Sequence, residues 1–200
     1  MKLKPHQILF KRLLDITLAI VGIVLSFPFL VLLLVIAGIN TKSSGLLLQK
    51  RIGKNGKPFM LYKIKTMRDE GEASTFITTA NDKRVTTFGR FLRKTKLDEL
   101  PQLWNVLIGK MSFVGPRPDV PGYADQLQGD DRIILSVRPG ITGPASLAFR
   151  DEEELLAKQE NPQQYNDEVI WPEKVRINKA YIRNYSLLTD IRIIWKTVFG

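Results

Sequence analysis

Residues 16–39, ITLAIVGIVLSFPFLVLLLVIAGI, decide how this chain folds, because these 24 residues carry no charge. A helix needs about 18 to 20 apolar residues to span a bilayer. A cleavable signal peptide has an apolar region of only about 7 to 15 residues, so we expect this longer segment to be retained. The sequence therefore predicts a membrane-bound protein.

Cationic residues lie on both sides of the apolar segment. Those before it are Lys2, Lys4, Lys11 and Arg12, and those after it are Lys42, Lys50, Arg51, Lys54 and Lys57. Cationic flanks stay on the cytoplasmic side of a membrane and normally mark one end of a spanning helix. Positive charge at both ends favours a re-entrant segment, which enters and leaves the bilayer by the same face.

Pro28 lies near the middle of the segment, and Ser26 lies two residues before it. Proline lacks a backbone donor and clashes with the preceding turn, so it can bend a helix into two arms. The Ser26 hydroxyl is a candidate to satisfy the carbonyl that the proline frees. We predict a helix-break-helix here, and an ordinary spanning helix with a mild proline kink remains the alternative.

The chain has 200 residues, with 30 Lys and Arg against 20 Asp and Glu, which gives a net charge of +10. This length fits one compact domain besides a membrane element. We therefore predict a re-entrant membrane hairpin over residues 1–40 and a cytoplasmic domain over residues 41–200. The positive charge would attract phosphorylated ligands, anionic lipid or nucleic acid.

Cysteine is absent, and His6 is the only histidine. Disulfides, thiolate nucleophiles, a Ser-His-Asp triad and a multi-histidine zinc site are therefore excluded. Any acid-base or nucleophilic chemistry falls to carboxylates, hydroxyls or lysines.

Two runs with strand character follow the apolar segment. Residues 46–52 and 59–67 are separated by 53–56 (GKNG), and an Asn-Gly pair between such runs predicts a β-hairpin. Lys63 and Lys65 alternate along the second run and would share one face of it.

The stretch 93–118, RKTKLDELPQLWNVLIGKMSFVGPRP, places the carboxylates Asp98 and Glu99 among Arg93, Lys94, Lys96, Lys110 and Arg117. Nearby positive charge keeps a carboxylate ionised, and it is then available as a nucleophile or a metal ligand. We predict a helix with Asp98 as its N-cap and Gly109 just past its end. The alternative is that the acids merely begin a helix.

The buried face of that helix is predicted to consist of Leu100, Leu103, Trp104 and Leu107. Two rigid turns follow, 115–118 (GPRP) and 138–143 (RPGITG), and each carries one arginine whose planar fork suits phosphate oxygens. Residues 69–83 show no clear period and are predicted to be a loop.

The tail over residues 174–199 mixes apolar and cationic residues. This pattern suits amphipathic helices that lie on an anionic membrane surface. The same spacing would serve a buried core helix equally well, so both interpretations stay open.

The ordered motifs of the chain resemble the bacterial sugar transferase family, the monotopic phosphoglycosyltransferases. The motifs are Lys11-Arg12-x-x-Asp15, the apolar run with its proline, Gln49-x-Arg51-x-Gly53, Lys63-x-Lys65-Thr66-Met67, 97–103 (LDELPQL), 112–118 (SFVGPRP) and 138–143 (RPGITG). The resemblance covers most of the chain. It implies an α-dominant α+β fold with a re-entrant membrane helix, a small β-hairpin and a compact catalytic domain with amphipathic interfacial helices.

Members of this family transfer a sugar 1-phosphate from a nucleotide diphosphate sugar to polyprenyl phosphate, which starts glycoconjugate or polysaccharide synthesis. The resemblance implies that Asp98 is the nucleophile and forms a phosphosugar-aspartate intermediate. It also implies that Asp98 and Glu99 hold Mg²⁺, or that Glu99 moves a proton.

Basic positions of the family's site match Lys65, Arg93 and Arg117, with Arg138 as a further candidate for substrate binding. The resemblance implies a UDP-linked N-acetylated hexose as donor and an anionic phospholipid membrane as partner. The expected location is the inner membrane of a bacterium, with the catalytic domain on the cytoplasmic face. No nucleic acid partner is expected.

A competing hypothesis is a non-catalytic adaptor that binds anionic lipid or nucleic acid through its basic surface. It is motivated by the net charge of +10 and the amphipathic tail. Salt-sensitive binding without turnover would distinguish it from the enzyme.

Two stretches depart from the family's pattern. Residues 144–150 (PASLAFR) stand where many relatives have Trp-Ala-Gln and Asn-Gly-Arg, and residues 151–172 are longer and more acidic than in small members. Sugar or nucleotide contacts in the first stretch stay open, and the second is a candidate for shaping sugar specificity. We otherwise expect a minimal member, without the additional transmembrane helices of larger relatives.

Overall fold

The computed structural model describes residues 3–69 and 82–200, and their fold is helix-dominant α+β. The helices are α1 Pro5–Thr41, α2 Thr87–Thr95, α3 Gln102–Leu107, α4 Pro144–Ala148, α5 Glu152–Ala157, α6 Pro162–Tyr165, α7 Trp171–Arg183 and α8 Leu187–Phe199. The strands are β1 Leu46–Ile52, β2 Pro58–Ile64, β3 Ser112–Val114 and β4 Gly140–Thr142. Most of the predicted loop over residues 69–83 lies outside the described residues.

The helix α1 runs through Pro28 without interruption. It begins after Lys4, whose backbone N–H donates to the Gln7 side chain at 2.8 Å, and ends at Thr41, before Lys42, which has a φ of 51°. The predicted break is therefore wrong at the level of secondary structure, because proline removes only one donor from the helix. The Ser26 hydroxyl is buried without a partner among the described residues, so it does not satisfy the carbonyl that Pro28 frees.

Within the described ranges, α1 is the one helix long and apolar enough to cross a membrane. Its most apolar 18-residue window has a mean hydropathy of 3.0. The outward side chains of Val24, Leu25 and Phe27 are largely exposed, and Leu25 retains 77% of its accessible surface. This exposed apolar face is what a lipid environment would cover.

Both arms of α1 pack against the rest of the protein. On the first arm, Ala19 is fully buried in a cluster that includes Val106 of α3. On the second arm, Leu33 and Ala37 are buried with Leu92 of α2. The helix therefore lies along the surface of the domain instead of projecting away from it.

The strands β1 and β2 form the predicted hairpin, with Ile52 opposite Pro58 beside the turn. Asn55 and Gly56 have φ values of 59° and 75°, the left-handed conformation that a tight Asn-Gly turn requires. The second strand ends at Ile64, three residues earlier than the sequence predicts.

The strands β3 and β4 form a short parallel pair that brings the two arginine-bearing turns together. The Gly115 N–H donates to the Thr142 carbonyl at 3.0 Å, and the Gly140 N–H donates to the Pro116 carbonyl at 2.8 Å. A Cβ on Gly115 or Gly140 would collide with the backbone of the opposite turn. Glycine is required here because the two backbones approach so closely.

The two tail helices differ in their environment. Val175, Tyr181 and Ile182 of α7 are buried in the main core, so the core interpretation is correct for α7. The helix α8 buries Ile193 there, but it leaves a row of large apolar side chains exposed: Leu188, Ile191, Trp195, Val198 and Phe199.

The polar start of α1 docks on the domain through Arg12 and Asp15. The Arg12 guanidinium donates to two carbonyls at the C-terminal end of α3, at 2.7 and 2.8 Å. Asp15 accepts hydrogen bonds from the Ser112 hydroxyl and the Phe113 N–H at 3.0 and 2.9 Å. These contacts fix the first arm against α3 and β3.

A buried ionic cluster joins α1 to α8. The Lys11 ammonium lies 2.6 Å from the Asp190 carboxylate, and the side chains of the two residues are only 10% and 1% exposed. The hydroxyls of Tyr181 and Tyr185 donate to the same carboxylate at 2.6 and 3.2 Å. Three donors therefore satisfy one buried anion, which compensates for its loss of hydration.

Replacing Asp190 by alanine tests this cluster. Asp190→Ala leaves the buried Lys11 ammonium without its carboxylate, so we expect a loss of about 3 kcal/mol in the free energy of unfolding. Denaturant unfolding of the purified protein in nanodiscs measures this loss. Arg192→Ala, an exposed position on the same helix, is the control and should unfold like the unmodified chain. Equal stability of all three proteins would show that the cluster does not fasten α1.

Candidate active site

The carboxylates Asp98 and Glu99 lie in the turn between α2 and α3. After α2 the chain reverses at Lys96, which has a left-handed φ of 58°, and Leu97–Glu99 then form a 3₁₀ turn. Asp98 is 3% exposed and Glu99 is 8% exposed. Two adjacent buried carboxylates require positive charge close by, because desolvation disfavours the ionised form.

The helix α3 differs from its prediction at its start and on one face. It begins at Gln102, after Pro101, so Asp98 precedes the helix and is not its N-cap. Gly109 lies just past the end with a φ of 79°, as predicted. Trp104 is 52% exposed and not buried, because the buried side of α3 carries Gln102, Leu103, Asn105 and Val106, and Trp104 lies on the opposite side.

Lys63 of β2 contacts both carboxylates. Its ammonium lies 3.0 Å from Asp98 Oδ2 and 3.7 Å from Glu99 Oε1. The sequence placed Lys63 on one face with Lys65 but did not select it as a site residue. The alternation along β2 indicated only that Lys63 and Lys65 share a face. The packing of β2 against this turn shows which of the two lysines reaches the acids.

Asn105 of α3 sets the position of Lys63. Its side chain accepts from the Tyr62 N–H at 3.0 Å and donates to the Met60 carbonyl at 2.8 Å. It therefore takes the hydrogen-bonding place of a neighbouring strand beside β2. This contact joins β2 to α3 next to Lys63, the lysine that reaches the Asp98 and Glu99 pair, called the dyad below.

Lys65 does not contact the dyad. It follows the last residue of β2, and its ammonium pairs with Asp69 at 2.5 Å. Its backbone N–H donates to the Gly45 carbonyl at 2.7 Å. The resemblance implied a substrate-binding role for Lys65, and the structure places it directly after the end of β2, beside Asp69.

Arg117 binds Glu99 directly, with one guanidinium nitrogen 2.6 Å from Oε1. Burial is the largest single effect on the pKa of Glu99 and would raise it. The positive charges of Arg117 and Lys63 together outweigh burial and lower the pKa from its ordinary 4.5 to about 2. Glu99 is therefore a permanent anion at neutral pH. Its charge in turn raises the pKa of Arg117.

The other two arginine candidates lie elsewhere. The Arg93 guanidinium is 2.9 Å from the carboxylate of Glu153 in α5, and half of the Glu153 side chain is exposed. Arg138 donates to the Gly109 carbonyl at 2.8 Å, at the end of α3 away from the dyad. The structure therefore brings Arg117 to the dyad and does not bring Arg138 there.

A second group of charges adjoins Arg117, and the sequence analysis did not identify it. Lys174 of α7 binds Glu152 of α5 at 2.6 Å, and the charge of Glu152 also acts on Arg117. Asp119 lies two residues after Arg117, and burial raises its pKa to about 6, against the opposing charges of Lys174 and Arg51. No local pattern could reveal this group, because its members come from four distant parts of the chain.

The Asp98 and Glu99 carboxylates fit Mg²⁺ only as part of a ligand set. Over residues 3–69 and 82–200, no cluster of three or more Asp, Glu, Cys or His side chains could hold a metal ion alone. Asp98 Oδ1 is buried and has no hydrogen-bond partner in those same ranges. Mg²⁺ is commonly held by one or two carboxylates, with substrate phosphates and water as the remaining ligands. The residues present fit that mode, in which the substrate brings the other ligands.

Comparisons with known proteins identify the family of this chain. The profile of the family described as bacterial sugar transferase matches residues 6–200. A UDP-glucose:undecaprenyl-phosphate glucose-1-phosphate transferase of Klebsiella pneumoniae is 38% identical over 201 residues, covering 96% of this chain and 40% of that protein. A UDP-N-acetylgalactosamine-undecaprenyl-phosphate N-acetylgalactosaminephosphotransferase of Aeromonas hydrophila is 31% identical, covering 97% of this chain and 44% of that protein. The exopolysaccharide production protein ExoY of Sinorhizobium fredii is 30% identical, covering 98% of this chain and 87% of that protein.

The chain belongs to the bacterial sugar transferase family, since the family profile matches nearly all of it. It spans about two fifths of the length of the Klebsiella and Aeromonas relatives, 40% and 44%.

The raised pKa of Asp119 gives a stability that depends on pH. A carboxyl whose folded pKa lies above its unfolded value of 3.8 binds its proton more tightly in the folded state, so stability falls as pH rises from about 4 through about 6. Asp119→Asn lacks this effect and should have a higher Tm than the unmodified chain at pH 7.5. The difference should vanish near pH 4. A Tm difference that is constant from pH 4 to 7.5 would contradict the assignment.

Proposed function

We propose that this chain transfers a sugar 1-phosphate from a nucleotide diphosphate sugar to polyprenyl phosphate, with Asp98 as the nucleophile. The single observation that carries the proposal is Asp98 Oδ1, a buried carboxylate oxygen without a partner among the described residues. Its companion Oδ2 faces Lys63. The names of the relatives support the substrate classes, undecaprenyl phosphate and a UDP-sugar. A UDP-linked N-acetylated hexose is the proposed donor.

In the first step, a carboxylate oxygen of Asp98 attacks the phosphorus that bears the sugar. The bond from this phosphorus to the bridging oxygen breaks, and the nucleoside monophosphate leaves with the bonding electrons. The products are a phosphosugar-aspartate and a nucleoside monophosphate dianion. Charge balances without a proton transfer, because a dianionic donor and one carboxylate give a monoanionic adduct and a dianion.

In the second step, a phosphate oxygen of polyprenyl phosphate attacks the same phosphorus. The bond between phosphorus and the Asp98 oxygen breaks, so the carboxylate is restored and a polyprenyl diphosphate sugar is released. A covalent intermediate divides one difficult displacement into two easier ones. Both displacements use the same cations, since they occur at one phosphorus.

The cations beside the dyad would stabilise the transferring phosphoryl group. Lys63 and Arg117 are held in place by Asp98 and Glu99 before substrate arrives. Positioned charges of this kind need no rearrangement at the moment of reaction, which is the basis of electrostatic stabilisation. Arg93 is a proposed contact for the diphosphate, because its pairing with the exposed Glu153 is weak enough to exchange. Glu99 would hold Arg117 instead of moving a proton, since its pKa is about 2.

Asp98 and Glu99, with the diphosphate oxygens of the donor, are the proposed ligands for Mg²⁺. The ion would neutralise negative charge on the diphosphate. Glu99 would have to share its carboxylate between the ion and Arg117, which now contacts both of its oxygens.

We further propose that α1 is re-entrant, with both of its ends on the cytoplasmic face. Lys11 and Thr41 are both buried against the domain, and the helix between them rises about 45 Å. The hydrocarbon core of a bilayer is about 30 Å thick, so a span would draw charged parts of the domain to membrane depth, which is costly. A helix bent at Pro28 and immersed on its outer face avoids this cost.

The exposed apolar side chains of the domain support contact with the same face of the membrane. Trp104 of α3, Ile108 directly after its end and Trp195 of α8 are each about half exposed or more. Tryptophan is favoured at the lipid-water boundary. We propose that α8 lies as an amphipathic helix on an anionic phospholipid surface, at the inner membrane of a bacterium.

Substitution of the nucleophile tests the reaction. Asp98→Asn should lower nucleoside monophosphate release by on the order of 10³-fold or more, because the amide cannot form the covalent adduct. UDP-glucose and UDP-N-acetylgalactosamine are tested with undecaprenyl phosphate and Mg²⁺. Glu160→Gln, an exposed acid of the same chain, should retain full activity. Full activity of Asp98→Asn would refute the nucleophile, and salt-sensitive lipid binding without any turnover would favour the adaptor.

Thiol labelling tests the topology, since the natural chain contains no cysteine. His6→Cys and Ser44→Cys each introduce one exposed thiol, before and after α1. In inverted membrane vesicles, a re-entrant α1 predicts that a membrane-impermeant maleimide labels both variants. Labelling of one variant in inverted vesicles and of the other only in right-side-out vesicles would establish a span.

A further inference from the structure

Gln102 carries a buried polar atom that the reaction described above does not use. Its side chain is 1% exposed, and its amide Nε2 has no hydrogen-bond partner among the described residues. Six buried side-chain polar atoms of the described chain lack a partner, and two of them are Asp98 Oδ1 in the 3₁₀ turn and Gln102 Nε2 at the start of α3. One is an acceptor and the other is a donor.

The backbone keeps these two side chains close together. Leu100 and Pro101, which connect the 3₁₀ turn to α3, both have right-handed helical dihedral angles. Asp98 and Gln102 are four residues apart on this helical path, which rises only about 6 to 8 Å over that distance. Each is therefore within reach of a small group that binds between them.

The amide of Asn105, one turn further along α3, provides a direct contrast. It is also fully buried, and both of its polar atoms bond the backbone of β2. The fold alone therefore accounts for the burial of the Asn105 amide. A buried donor without a partner costs free energy, so an atom such as Gln102 Nε2 is retained where a ligand supplies the missing acceptor.

We propose that the Gln102 amide donates a hydrogen bond to a phosphoryl oxygen of the sugar phosphate while that group is bonded to Asp98. The ligand that satisfies both atoms must offer an electrophilic centre to Asp98 Oδ1 and an acceptor oxygen beside it. A phosphoryl group has both. Lys63 and Arg117 already hold Asp98 Oδ2 and Glu99, so Gln102 would add a neutral donor for a group bound at Asp98 Oδ1.

This inference rests on the proposed function, because it takes Asp98 as the residue that bonds phosphorus. The hydrogen bond forms to an oxygen that stays on phosphorus through both displacements. It would therefore stabilise the transition states of both steps. Binding of the intact donor depends mainly on its nucleotide and cationic contacts. Loss of the Gln102 hydrogen bond should therefore lower kcat more than it changes KM.

The test replaces Gln102 by methionine, which has a similar volume and cannot donate. Gln102→Met should lower kcat for nucleoside monophosphate release by about 100-fold, the usual effect of removing one donor to a developing anion. KM for the nucleotide sugar should change by less than about threefold. Gln128→Met, at an exposed glutamine remote from the turn in sequence, is the control and should keep full activity.

Stability separates this role from a structural one. Methionine removes a buried donor that has no partner, so the Tm of Gln102→Met should be unchanged or higher. A fall in Tm together with activity would show that Gln102 only supports the fold, and an unchanged kcat would show that it does not touch the phosphoryl group. Either result overturns the inference.

Gln102→Glu and Asp98→Asn separate the role of Gln102 from the proposed function of the chain. Gln102→Glu places a carboxylate beside the phosphoryl oxygens and should reduce kcat further than methionine does, through repulsion. If Asp98→Asn abolishes turnover while Gln102→Met has none of the expected effect, only the role of Gln102 fails. If Asp98→Asn remains active, the proposed function itself fails.

Discussion

The packing of both arms of α1 against a single domain is the constraint on which the rest of the structure depends. Small residues make it possible, because Ala19 and Ala37 are fully buried and allow close approach of the neighbouring elements. The turn that carries the dyad packs on the second arm through Leu97 and Leu100. The acids are thereby held in a turn that lies against the second arm of this apolar helix.

Burial of two adjacent carboxylates determines the chemistry of the site. Each acid takes a cation from a different element, Lys63 from β2 and Arg117 from the turn after β3. Glu99 is fully engaged, whereas Asp98 retains one buried oxygen without a partner in the described part of the chain. The two acids of one turn thus differ in environment: Arg117 contacts both oxygens of Glu99, whereas one oxygen of Asp98 has no partner in the described ranges.

The acidic helix α5 lies at the edge of the same site. Glu152 binds Lys174, and Glu153 binds Arg93. A substrate phosphate that binds Arg93 must displace a carboxylate, but an exposed pair is worth only about 0 to 1 kcal/mol, so the exchange costs little. The stretch in which this chain departs from its family therefore pairs with Arg93 and Lys174 through Glu153 and Glu152.

Periodicity, composition and motifs were sufficient for the features that depend on neighbours in the chain. The apolar helix, the hairpin with its Asn-Gly turn, Gly109 at the end of α3 and the acids of the 97–103 motif all follow from local physical chemistry. Four features did not follow from local physical chemistry. They are the identity of the lysine at the dyad, the environment of Trp104, the separation of Arg138 from the acids and the group around Asp119. These depend on where β2 ends and on how distant elements pack, since a charge or an aromatic ring takes its role from what surrounds it in space. The sequence by itself determined that a membrane-bound chain carries paired acids among cations, and the tertiary structure decided which cation each acid meets.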